Sequence, residues 1–344
     1  MLIMGAMQFA WRLTDSMHKI WLLKLILPWP YGRLLTGFLL LCVLLPVFSL
    51  GNSGDIENTT PALFYSLIIA YIIPIFSYIT AKSQEALREL RPLLDLEDSA
   101  FEKLRAHLDS ASFRTIALQL GAGALLGFIH MSFIRGSAMA TVTGALAGGP
   151  EFVSTLGALI VWIIMTTVVS MLIQQASIFA RLGAYHVQVT LLSTRKLLPF
   201  ARVSISTSLA IIGALALFPL IGIESGMNLI EILPGAIATL VPLLAMFIVP
   251  VWPIHRRLAE MKEQQLASLN DRIEARLGAG DSFFPESEVL EEVAPLLGYR
   301  REITQVSTWP FDGSNVTRLL FYLIIPPLTW AGAALIENLV DWLL

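Results

Sequence analysis

The stretch FVSTLGALIVWIIMTTVVSMLI, Phe152–Ile173, runs for 22 residues without a charge. As a helix rising 1.5 Å per residue it covers about 33 Å, enough to cross a hydrocarbon core of roughly 30 Å. A lone segment in lipid must bond its backbone internally, so the helix is its only stable form there. Six more stretches read the same way: Leu34–Leu50, Ala62–Thr80, Thr115–Phe133, Val203–Ile223, Ile232–Val251 and Leu319–Ile336. The expected fold is therefore an all-α polytopic membrane protein with seven transmembrane helices.

With those spans marked, 22 of the 23 lysines and arginines fall on one side, and only Arg135 on the other. Basic loops stay on the cytoplasmic side. This predicts a cytoplasmic (inner) membrane protein with its N-terminus inside and its C-terminus external. The outer side carries Asp55, Glu57, Glu151, Glu224, Glu231, Glu337 and Asp341. Scattered carboxylates of this kind solvate a surface and concentrate cations only modestly.

The whole chain is 56% apolar and 14% charged, against about 25% charge in a soluble domain, with a mean hydropathy of +0.71. Cys42 is the only cysteine, which excludes an intrachain disulfide and a thiolate metal cluster. The first span lacks a small-residue cleavage site and reads as a signal anchor. The sequon Asn58-Thr59-Thr60 reads as chance.

Four regions follow. Residues 1–32 form an N-terminal segment in which Trp11, Trp21, Trp29 and Tyr31 alternate with Arg12, Lys19 and Lys24, as in a helix lying in the headgroup layer. Residues 33–253 hold spans one to six, with a first cytoplasmic loop at 81–114. In that loop Ala81–Arg91 extends span two until Pro92, and Ser99-x-x-Glu102 is a capping box for a helix to about His107. Residues 254–315 form a cytoplasmic helical hairpin. Its first arm, His255–Leu277, places Leu258, Met261, Leu266, Leu269, Ile273 and Leu277 on one stripe. Gly278, Gly280, Asp281 and Pro285 break it, and Glu286–Glu302 supplies the second arm. Residues 316–344 carry span seven. Loops and hairpin together form a helical cytoplasmic layer.

The segment Ile254-His255-Arg256-Arg257-Leu258-Ala259-Glu260-Met261-Lys262-Glu263, and Ser307-Thr308-Trp309-Pro310-Phe311-Asp312 before the last span, carry a resemblance. Over residues 250–344 the chain resembles uncharacterised prokaryotic multi-pass membrane proteins, in which a charged helix follows one span and a Trp-Pro-aromatic element leads into the final one. The resemblance implies a prokaryotic cytoplasmic membrane and assigns no catalytic residue or ligand.

No catalytic apparatus is visible, so a non-enzyme without metal or cofactor is expected. Gly278-Ala279-Gly280-Asp281 matches a string of intramembrane aspartyl proteases, but those need two carboxylates facing each other within the bilayer. Here Asp281 falls in a polar turn, and the cytoplasmic half of the spans contains no aspartate. Zinc, serine-hydrolase and phosphate-loop motifs are missing.

Two helices carry polar stripes. In span three Gln119, Gly123, Gly127 and His130 lie at offsets 0, 4, 8 and 11, on one face. Gly123-x-x-x-Gly127 admits a close neighbour, and Gln119 can bond across it. In span four Thr166, Ser170, Gln174 and Ser177 repeat the same spacing. The stripes either satisfy each other as packing or line a wet path, and packing is the cheaper reading. His130 could titrate or hold a solute, which needs a nameable partner.

The outer connection 135–149 is small and weakly apolar; it reads as a surface loop with one short helix, or as a re-entrant element. Arg135 there is a candidate counter-charge for Glu337 and Asp341. Pro326 and Pro327 would kink span seven and free carbonyls near Tyr322 and Leu323. Arg256 and Arg257 would meet anionic lipid headgroups. The partners expected are the lipid bilayer and a second copy of the chain in a homo-oligomer, with no nucleic acid. Small-solute or ion transport through a channel or carrier leads the functional readings. The alternative is a non-transporting sensor or assembly protein acting through its cytoplasmic helices.

Overall fold

The computed structural model describes residues 17–49, 59–217, 243–277 and 287–310, together with Thr317 and Phe321. The protein is all-α, with one two-stranded ladder among the described residues. Among the described residues five helices are long and apolar enough to cross a membrane: Gly32–Ser49, Pro61–Leu93, Phe113–Ile134, Glu151–His186 and Thr194–Leu215. They coincide with the first five expected spans, the fifth starting nine residues early. Of expected span six only 243–251 is described, and span seven with Pro326 and Pro327 lies outside the described residues.

The chain divides into two compact units. The first comprises residues 1–81, 102–172 and 213–239. It contains strands β1 (Met17–Lys19) and β2 (Ser110–Ser112), the single-turn α1 (Trp21–Lys24) and α2 (Gly32–Ser49). It also holds most of α3 (Thr59–Leu90), the end of α4 (Asp98–His107), α5 (Phe113–Ile134), α6 (Ala138–Ala147) and most of α7 (Gly149–Arg181).

The N-terminal segment departs from the expected interfacial helix. Residues 1–16 lie outside the described residues. From Met17 onward the chain pairs antiparallel with β2, Met17 opposite Ser112 and Lys19 opposite Ser110, and helix follows for only one turn. Ladder bonds to a strand 93 residues away outweigh the helix preference of a short run that Pro28 ends anyway. The helix α4 forms where expected but starts at Asp98, which places Ser99 inside its first turn.

α5 has the polarity of a helix in lipid. Leu118, Leu125, Ile129 and Phe133 are exposed, while Gln119, Gly123, Gly127 and Met131 are buried. Facing water, each such exposed side chain would forfeit about 1.5–3 kcal/mol of burial; facing acyl chains, it forfeits nothing.

The second unit comprises residues 82–101, 173–212 and 240–344. It contains the last turns of α3, a 3-10 turn at Arg91–Leu93 where Pro92 stops the helix, and the last turns of α7. A π-helical turn Leu182–His186 follows, then most of α8 (Leu198–Leu215), α9 (Trp252–Leu277) and α10 (Ser287–Gln305). Of the expected stripe α9 buries Leu258, Leu269 and Ile273, joined by Ile254, while Met261 and Leu266 are half-buried and Leu277 is exposed. α9 and α10 pack on each other as an antiparallel pair, closed by Arg276 with Glu292, by Arg300 Nε donating to Asn270 Oδ1 (2.8 Å), and by Lys262 Nζ donating to the carbonyls of Thr304 and Val306.

Candidate functional site

Two places gather polar groups. The first, within the first unit, is the seam between α5 and α7. Ser112 opens α5 as its N-cap, its hydroxyl accepting from the Thr115 amide at 3.2 Å. The helix then presents Gln119, Gly123, Gly127 and His130 to α7. A methyl on Gly123 would lie 2.5 Å from the Ile163 Cα, and one on Gly127 3.1 Å from the Leu159 Cα. The two backbones therefore approach as closely as glycine alone permits. At one end of the glycines Gln119 Nε2 donates to Ser170 Oγ at 2.9 Å. At the other, Trp162 Nε1 donates to His130 Nδ1 at 3.0 Å, with the rings edge-to-face. A donor on Nδ1 makes that nitrogen the acceptor and leaves the proton on Nε2. Gln119 Oε1 and His130 Nε2 are buried with no partner among the described residues.

The remaining stripe residues go elsewhere. Thr166 and Gln174 are half-buried, and neither belongs to the bonded pairs of the seam just described. The fully buried residues beside them are Thr167, whose hydroxyl donates to the Ile163 carbonyl, and Gln175, whose Oε1 accepts from Ser83 Oγ at 3.0 Å in the second unit. Trp162 was invisible as a site residue, although an indole N–H inside an apolar span needs an acceptor and so advertises one.

Beyond His130 the connection from α5 to α7 is clasped. Ser137 caps α6 by accepting from the Ala140 amide at 3.0 Å, so residues 138–147 form one ten-residue helix. Arg135 Nη2 donates to the Glu151 carbonyl at 2.7 Å, Nη1 to the Thr141 carbonyl at 3.3 Å, and the Glu151 carboxylate lies 3.8 Å away. Gly144 makes room, since a methyl there would collide with both the guanidinium and the carboxylate. Arg135 thus answers Glu151; Glu337 and Asp341 lie outside the described residues.

The second place is in the second unit, where the loops after spans two, four and six converge on Val187. Leu94 and Val187 form an antiparallel bridge. The Asp95 amide donates to the His186 carbonyl (3.0 Å) and the Gln188 amide to the Leu93 carbonyl (2.9 Å). Arg257, from α9, donates to the Val187 carbonyl at 2.8 Å. Gly183, in the π-turn, sits against Ile254 and Phe200, and Arg202 pairs with Glu89 at 2.6 Å. Three loop segments are thus bonded together within the second unit. Of the two arginines expected at lipid headgroups, Arg257 is committed to this backbone carbonyl. Arg256 is exposed and pairs with Glu260 at 2.8 Å.

The two elements that carried the resemblance also meet. The His255 ring stacks on Trp309, with centroids 3.8 Å apart and planes 15° from parallel, and its Nδ1 lies 3.2 Å from the Thr308 carbonyl. Trp252 leans on the same ring from one turn away. Among the described residues no three His, Cys, Asp or Glu side chains come together as a metal site would require.

Comparison with protein-family models, with curated proteins and with solved structures finds no match.

Proposed function

We propose that the protein is a non-transporting sensor or assembly protein of a prokaryotic cytoplasmic membrane, working through a helical cytoplasmic unit built from its loops. The chief support is the closed seam. Two glycines bring α5 and α7 to backbone contact between Gln119 and His130, which leaves no room for a solute along the polar face these two helices share. Meanwhile the loops bond into a unit whose α10 exposes Leu290 and Leu297 on one side, seven residues apart. An apolar stripe on a soluble helix fits a protein partner, a second copy of the chain included.

Ion or small-solute transport is the second reading. It is favoured by the unpartnered Gln119 Oε1 and His130 Nε2, because buried polar atoms without partners mark water or ion positions. Cysteines placed singly at Gln119, Gly123 and Gly127 in a Cys42→Ala background separate the two. Labelling by small charged thiol reagents, with solute flux in liposomes lost on Gln119→Leu, would establish transport. Silence at all three positions with no flux supports the assembly reading. In that case a photo-crosslinker at Leu297 should yield one discrete adduct in native membranes.

A further inference from the structure

α2 and α3 enclose a second feature, a groove of about 930 Å3 that lies wholly within the first unit. This is at the upper end of the range for small-molecule sites, roughly 300–1,000 Å3. Its walls are apolar, formed by Phe38, Leu41, Leu67 and Ala70 among others, and its mouth holds Trp29, Tyr31, Arg33, Ser77 and Tyr78. The floor is the contact of Gly37 with α3, where a methyl would lie 3.0 Å from the Ala70 carbonyl oxygen and 3.3 Å from Pro74 Cγ. Pro74 has no amide proton to give that carbonyl, so one rung of the helical ladder is missing at the point where the groove opens, although the helix runs on through it.

Length and charge point to one kind of occupant. From Leu67 to Ser77 the wall rises about 15 Å, the depth of one leaflet's hydrocarbon. Both helices are among those long and apolar enough to cross a membrane, and a groove between two such helices, once they span it, lies within reach of acyl chains. Arg33 stands at the mouth. Its Nε donates to Ser77 Oγ at 3.2 Å and its guanidinium lies 5.9 Å from the Tyr78 ring centroid. Among the described residues no carboxylate pairs with it, and its two terminal nitrogens have no protein acceptor. Tyr31, at φ +64, and Trp29 stand exposed beside it, the aromatic pair that membrane interfaces collect. That left-handed residue is followed by Gly32, where a methyl would collide with the Leu27 carbonyl.

We propose that this groove is a specific site for one anionic phospholipid, with a phosphate oxygen on the free end of Arg33 and an acyl chain laid between α2 and α3. The site depends on α2 and α3 spanning the bilayer and not on the function proposed above. The planar guanidinium, one of its five N–H donors already used to fix its orientation, offers its two terminal nitrogens to a phosphate in fork geometry.

Native mass spectrometry of the full chain tests this. The protein is released from micelles doped with equal amounts of phosphatidylglycerol and phosphatidylcholine. One phosphatidylglycerol should be retained per chain, preferred by about five-fold, the weight of one basic residue against an anionic headgroup. Arg33→Gln should lose that preference and Arg33→Lys should keep most of it. Leu67→Trp, which fills the groove, should lose the retained lipid itself. Equal retention of both lipids by the native chain, or an unchanged preference in Arg33→Gln, would overturn the site. Should Leu67→Trp fail to fold, the Arg33 pair decides alone.

Discussion

Arg257 donates to the carbonyl of Val187 at 2.8 Å across 70 residues of chain, and so ties α9 to the point where two other loops already meet. The bond is charge-assisted and partly buried, the kind worth about 1.5–3 kcal/mol. Arg257→Gln should therefore speed proteolysis within α9 in native membranes, while Arg256→Gln, whose side chain is exposed, should change little. Equal sensitivity of the two variants would contradict the bond.

The seam between α5 and α7 makes a graded prediction. Gly123→Ala pushes a methyl against the Ile163 backbone, whereas Gly127→Ala meets Leu159 with about half an ångström more room. Overpacking of this kind costs about 1–3 kcal/mol, and Gly123→Ala should sit at the upper end. Thermal unfolding in detergent should rank Gly123→Ala below Gly127→Ala, and both below the native chain. A double-mutant cycle of Gln119→Leu with Ser170→Ala should return about 0.6 kcal/mol, and no more than about 1.7.

The Arg135 clasp can be opened from either side. Arg135→Gln removes the donor to Thr141 and Glu151, and Gly144→Ala removes the space in which it sits. Both should raise hydrogen exchange across α6 while leaving α5 protected. If exchange in 138–147 is the same in all three proteins, the clasp does not hold that helix.

Topology has its own readout. In a Cys42→Ala background, Glu57→Cys should react with an impermeant thiol reagent applied outside, and Arg272→Cys only after permeabilisation. External labelling at position 272 would invert the proposed orientation.

The first five spans were legible because hydropathy summed over about twenty residues exceeds any local exception. The α5 stripe was legible because Gln119, Gly123, Gly127 and His130 repeat at the helical period, and Ser170, from the stripe on α7, is the residue Gln119 bonds. The rest of the α7 stripe was not. Adjacent polar pairs, Thr166-Thr167 and Gln174-Gln175, present the same letters, and only the rotation of α7 decides which member turns inward. The same ambiguity gave Arg256 and Arg257 one role, where the structure gives them two. The Val187 junction and the β1–β2 ladder left no trace, because both are made by backbone groups every residue carries.

The contacts of α9 with the chain that follows close like a zipper. Arg276 meets Glu292 at a separation of 16 residues, Asn270 meets Arg300 at 30, and Gln265 meets Tyr299 at 34. Lys262 then reaches Thr304 and Val306 at 42 and 44, and His255 reaches Thr308 at 53. Each closure shortens the loop the next must pay for, so the hairpin can be complete as soon as residue 309 leaves the ribosome. Trp309 can thus be seated on His255 before the apolar stretch from Leu319 has emerged.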